Sequence, residues 1–145
     1  MKKLVYISIL LLFACSDEIT QIGDPKPQIT FVSLSKQEVI SFKEELEIAI
    51  NYVDGDGDLG SPDADSLDIY VKDSRLKDFD RYHLKPLAPL NSNVRIQGQL
   101  NIKLKTLFVL SSLPNERTNF EVYIKDRAGN KSNIITTPFV NIIKP

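Results

Sequence analysis

One cysteine, one histidine, one methionine and no tryptophan in 145 residues set the first limits on this chain. The lone cysteine, Cys15, has no partner for an internal disulfide, so the fold rests on its core and on any metal it holds. The lone histidine, His83 in Tyr82-His83-Leu84-Lys85, leaves no His-rich metal spacing and no Cys–His pair for nucleophilic catalysis. No serine sits in a Gly-x-Ser-x-Gly elbow. Neither sign of charge is in excess: 18 basic against 19 acidic residues give −1, without the basic face that nucleic-acid binding needs. The longest almost wholly apolar stretch, Leu4 to Phe13, has ten residues with Ser8 among them, about half of what a bilayer core requires. Helical periodicity and internal repeats are also missing.

The chain opens with a short positive region, Met1-Lys2-Lys3, then that apolar run, then Ala14 directly before Cys15. This is the layout of a secretory signal peptide over residues 1–14. Leu12-Phe13-Ala14-Cys15 resembles the lipobox of bacterial lipoproteins, with Phe13 bulkier than the usual residue there. The resemblance implies that Cys15 is acylated and becomes the N-terminus; the alternative is a plain signal peptide with an incidental cysteine. Losing Lys2 and Lys3 leaves 16 basic against 19 acidic residues, a charge of −3. Residues 15–27 read as the acylated cysteine and a tether, broken by Gly23, Pro25 and Pro27. Ser16-Asp17-Glu18 is similar to the export signal of Bacteroidota surface lipoproteins. That similarity implies an outer-membrane lipoprotein held by its N-terminal lipid and facing the cell exterior, with a periplasm-facing orientation as the alternative.

From Gln28 the pattern is that of strands. Leu46, Ile48, Ile50 and Tyr52 alternate with polar or small residues, as do Leu67, Ile69 and Val71, then Val94 to Leu104 with that strand expected to run on towards Leu110, then Phe120, Val122 and Ile124. Ile29 to Leu34 and Ile134 to Ile143 add a first and a last strand. Pro86 and Pro89 confine residues 73–93 to loops or an edge strand. The expectation for residues 28–145 is an all-β, antiparallel two-sheet sandwich of about seven strands. Leu110-Ser111-Ser112-Leu113-Pro114 and Thr118 through Ser132, with its Asp126-Arg127-Ala128-Gly129-Asn130 turn, resemble the last third of a fibronectin type III or bacterial Ig-like domain. Phe120 replaces the corner tyrosine of such domains, and the tryptophan and cysteine pair of antibody domains are missing.

The densest chemistry lies in Asp54-Gly55-Asp56-Gly57-Asp58-Leu59-Gly60-Ser61-Pro62-Asp63-Ala64-Asp65, with five carboxylates, three glycines and no basic residue. Counting from Asp54, Asp56, Asp58 and Asp65 fall at positions 3, 5 and 12, ligand positions of an EF-hand loop. Strands flank it and Leu59 replaces the glycine at position 6, so this is no EF-hand. The ligand logic still carries over: short carboxylates separated by glycines converge on one hard cation, expected to be Ca²⁺ bound by Asp54, Asp56, Asp58, Asp63 and Asp65. The alternative is a solvated Asp/Gly turn. An Ig-like sandwich puts this loop at the same end as Asp126-Arg127-Ala128-Gly129-Asn130. Asp126 is then either a further ligand or the cap of its own turn, and Arg127 a possible pair for the acidic loop.

Tyr70 and Tyr123 occupy outward positions on strands that neighbour each other in such a sandwich, whereas Tyr52 faces the core. The two outward rings read either as ordinary strand residues or as a solvent-exposed face for a surface protein or glycan. Together these readings describe a non-enzymatic, calcium-binding, lipid-anchored adhesion or scaffolding module. The alternative is a glycan-binding accessory lipoprotein of a polysaccharide-uptake system.

Overall fold

The computed structural model describes residues 23–145, so the signal peptide, Cys15 and the tether up to residue 22 lie outside the described residues. The described chain is all β. Among the described residues no helix is long and apolar enough to cross a membrane. The strands are β1 (Gln28–Leu34), β2 (Glu38–Ile40), β3 (Leu46–Asp54), β4 (Ile69–Asp73), β5 (Asp80–Tyr82), β6 (Ile96–Leu104), β7 (Asn115–Thr118), β8 (Phe120–Ile124), β9 (Ile135–Thr136) and β10 (Val140–Ile143).

Three of them form one sheet in the order β1-β3-β6, and four form the facing sheet, β5-β4-β8-β9. The chain crosses between the two sheets several times, with β4–β5 and β8–β9 hairpins kept within the second sheet, which gives a two-layer antiparallel sandwich. A third group, β2-β10-β7, prolongs the second sheet at one end. There, β7 is parted from β8 by Asn119 alone, and β9 from β10 by Thr137-Pro138-Phe139. Pro138 has no amide to donate to a ladder. The Thr137 hydroxyl and amide close the gap instead, bonding the amide and carbonyl of Phe120 at 3.0 and 2.9 Å. These interruptions, with the short β2 and β5, account for ten strands where the sequence suggested about seven. The pairing is antiparallel throughout except between β10 and β2, which run parallel.

Alternation builds the core. Leu46, Ile48, Ile50 and Tyr52 of β3 join Ile102 and Leu104 of β6, and meet Ile69 and Val71 of β4 and Phe120, Val122 and Ile124 of β8. Tyr52 is buried as expected, its ring lying along Gly98 directly opposite on β6. Two expectations about β4 and β6 need correcting. Leu67 is 41% exposed and Asp68 is buried, because the strand and its alternation begin only at Ile69. The β6 strand ends at Leu104 and does not run on towards Leu110.

The same parity decides where the chemistry points. Position 54 has the parity of 46, 48, 50 and 52, so the last residue of β3 sends a carboxylate inward. Asp73, the last residue of β4, does the same at the opposite end of the sandwich. There Arg75 grips it through both oxygens, at 2.6 to 3.2 Å, and Thr118 donates to it as well. Arg75 also reaches Glu116 at 2.6 Å and the Phe108 carbonyl at 3.0 Å. At the Asp54 end no cation among the described residues plays that part.

Candidate metal centre

Asp54 is wholly buried, and neither of its carboxylate oxygens has a hydrogen-bond partner among the described residues. Asp56 and Asp58 each add one buried oxygen in the same condition. One ligand oxygen from each of the three lies within 4.8 Å of the others, so three carboxylates converge on one small volume. Burial of an ionised carboxylate without partners costs several kcal/mol, in practice met by taking up a proton or a cation. The proton affinity reflects this. Desolvation first, then the charges of Asp56 and Asp58, push Asp54 from 3.8 up to about 6; the Leu59 amide offsets part of that rise without completing a hydrogen bond. Asp58 is also raised, chiefly by burial and then by Asp126 and Asp56.

The loop is held in this shape from outside. Gly57 has a left-handed backbone (φ 73°), and a Cβ there would meet the Val94 carbonyl at 2.2 Å. At Gly55, between two of the converging aspartates, a Cβ would stand 2.3 Å from the Asp24 carbonyl. The end of the stretch read as a tether therefore lies against the loop: Gly23 and Asp24 pack on Gly55 because it lacks a side chain. On the far side the β8–β9 turn closes over the loop, as the shared end of the sandwich requires. Leu59 bridges to Asp126, the Arg127 amide donates to the Asp58 carbonyl, and the Ala128 amide donates to Asp58 Oδ2 at 3.0 Å.

The remaining acidic residues stand differently. Asp63 and Asp65 are exposed and outside the cluster, Asp63 accepting from the Asp65 amide in a local turn. Asp126 is buried but caps its own turn: its two oxygens accept from the Asn130 amide at 2.7 Å and the Asn130 side chain at 2.8 Å. Arg127 makes no ion pair with the acidic loop among the described residues; its guanidinium donates to the Gly60 carbonyl at 2.7 Å. His83 spends a ring nitrogen on the Ser66 carbonyl at 3.0 Å. The sequence signal that separates Asp54, Asp56 and Asp58 from Asp63 and Asp65 is the strand parity carried into Asp54, together with the strict Asp-Gly alternation.

On the outer face of the second sheet, Tyr70 and Tyr123 are direct cross-strand neighbours, stacked at 4.4 Å with planes 9° apart. Adjacency is as expected; openness to solvent is not. Tyr123 is only 9% exposed, with Tyr70 on one side, the Lys131 ammonium 3.8 Å from its ring centre, and Phe79 edge-on at 5.1 Å. Arg81 and Lys125 stand 5.4 and 5.3 Å from the Tyr70 ring. The rings hold one another and these cations, so they offer no bare platform for a sugar ring to stack on.

No protein family, curated protein or solved structure matches this chain.

Proposed function

We propose that this chain is a lipid-anchored, cell-surface Ig-like module, stabilised by Ca²⁺, that binds or scaffolds rather than catalyses. The observation that carries the metal reading is Asp54: a fully buried carboxylate with both oxygens unpartnered, beside unpaired oxygens of Asp56 and Asp58. An all-oxygen, multiply charged donor set suits a hard divalent cation. Ca²⁺ tolerates irregular coordination, whereas Mg²⁺ demands a tight octahedron and gives up water reluctantly. Asp54, Asp56 and Asp58 would hold the ion, which would neutralise their repulsion and tie β3 to the loop packed under the β8–β9 turn. The lipobox-like Leu12-Phe13-Ala14-Cys15 supports the anchor, and the Ser16-Asp17-Glu18 run supports Bacteroidota-type surface export. A second reading, a glycan-binding accessory lipoprotein of a polysaccharide-uptake system, draws support from the cation-rich face around Tyr70.

Calorimetric titration of the full-length protein in detergent tests the metal. One Ca²⁺ per chain is expected, with Mg²⁺ weaker, and Asp56→Asn with Asp58→Asn should abolish binding. Absence of Ca²⁺ binding at millimolar concentration would sink it. Membrane fractionation of Cys15→Ser tests the anchor; unchanged processing and membrane association would remove it.

A further inference from the structure

The outer face of the β5-β4-β8-β9 sheet gathers four cations around three rings. Tyr70 pairs with Arg81 on one side and Tyr123 on the other, so the three form one cross-strand row. Lys125 and Lys131 face each other across the start of the β8–β9 turn, and Lys72 stands 5.2 Å from the Phe79 ring. Only one of the four is neutralised by an ion pair among the described residues: Lys72, bonded to Glu121 at 2.7 Å. Arg81, Lys125 and Lys131 have none. The row continues over the sheet edge, where Arg81, Lys103 and Lys105 line a shallow groove with Asp80. Lys103 is held only at 4.0 Å from Glu47 and stays 62% exposed.

This concentration sits on a chain whose overall charge is negative. Arg81, Lys125 and Lys131, with Lys103 and Lys105 at the edge, nonetheless gather positive charge along this one face. The aromatic rings fix the cations above them and lower their freedom to move, a preorganisation that favours a charged ligand. They also decide what kind of ligand. A protein partner is normally anchored by apolar or aromatic side chains seated in a dry core, and here the rings are already covered. A single-stranded nucleic acid needs open ring faces for its bases, which this face also lacks. A hydrated polymer bearing repeated anionic groups needs neither.

We propose that this face binds an acidic polysaccharide, one carrying carboxylate or sulfate groups, through Arg81, Lys125 and Lys131 with Lys103 and Lys105 continuing the track. The inference gives a ligand class to the binding-module reading and is independent of the metal. Heparin serves as the anionic glycan and dextran as the neutral one; polyglutamate and a single-stranded oligonucleotide are anionic polymers of other classes. Each is titrated into the full-length protein with saturating Ca²⁺, and the calcium-induced melting shift on the same samples reports the metal reading separately. Heparin should bind and dextran should not, with affinity falling on the order of tenfold between about 50 and about 200 mM salt. Arg81→Gln with Lys131→Gln should weaken heparin by about tenfold while the melting temperature stays near that of the parent, since both side chains are exposed. Lys36→Gln with Lys43→Gln, which removes the same charge from the β1–β3 connection, should leave it unchanged. No heparin binding at low salt, equal loss in both pairs, or polyglutamate or oligonucleotide binding as tight as heparin would overturn the proposal.

Discussion

The buried carboxylate at position 54 makes a prediction about pH that most folded proteins would not satisfy. Asp54 takes up a proton near pH 6 in the folded chain, against 3.8 ordinarily. The folded state therefore holds this proton more tightly than the unfolded state, and stability in EDTA rises as pH falls from about 7 towards about 4. At about 1.4 kcal/mol per tenfold in proton affinity, ionised Asp54 costs the metal-free fold on the order of 3 kcal/mol at neutral pH. The Asp73–Arg75–Glu116 network works in the opposite sense. Arg75 and Thr118 hold Asp73 below its usual range, and hydrogen bonds from residues 110 and 111 and from Arg75 hold Glu116 at about 2. Their contribution is present above the ordinary carboxylate range and is lost at lower pH. Urea denaturation in EDTA should thus give maximal stability at mildly acid pH. Ca²⁺ at a hundredfold excess over Kd should add about 2.7 kcal/mol, on the order of 10 °C in melting temperature for a domain of this size. The acid-side gain should disappear, because bound calcium has already neutralised Asp54. Asp54→Asn should remove both effects and stabilise the EDTA form by about 1 to 2 kcal/mol, less than the full cost because its amide also lacks partners. A metal-free protein that grows steadily less stable from pH 7 to pH 5, or a melting curve blind to calcium, would refute the reasoning.

Two further perturbations probe the ends of the sandwich. Arg75→Ala leaves Asp73 buried beside Thr118 without its cation and should cost about 3 to 5 kcal/mol in urea denaturation; a loss below about 1 kcal/mol would mean that Asp73 is neutral or rehydrated. Gly55→Ala puts a methyl group into the Asp24 carbonyl. Hydrogen exchange should show faster exchange for residues 23–28 together with weaker Ca²⁺ binding, and unaltered protection there would mean that the loop and the tether end move independently.

Alternation along the chain carries most of the architecture, because one buried face per strand forces a period of two. Leu46-Ile48-Ile50-Tyr52 and Phe120-Val122-Ile124 are legible in that way, and the Asp-Gly repeat marks its own loop. What composition could not distinguish was which aspartates act together. Asp54, Asp56, Asp58, Asp63 and Asp65 look alike as a string. Parity carries Asp54 inward at the end of its core strand, but only the sandwich buries it without a partner, leaves Asp63 and Asp65 in solvent, and gives both oxygens of Asp126 to Asn130. The tyrosines show the same division. Strand neighbours and outward parity place Tyr70 beside Tyr123, but burial of an outward ring depends on side chains from other elements. Phe79 and Arg81 arrive from the β4–β5 hairpin and Lys131 from the β8–β9 turn, through contacts that have no local period to betray them.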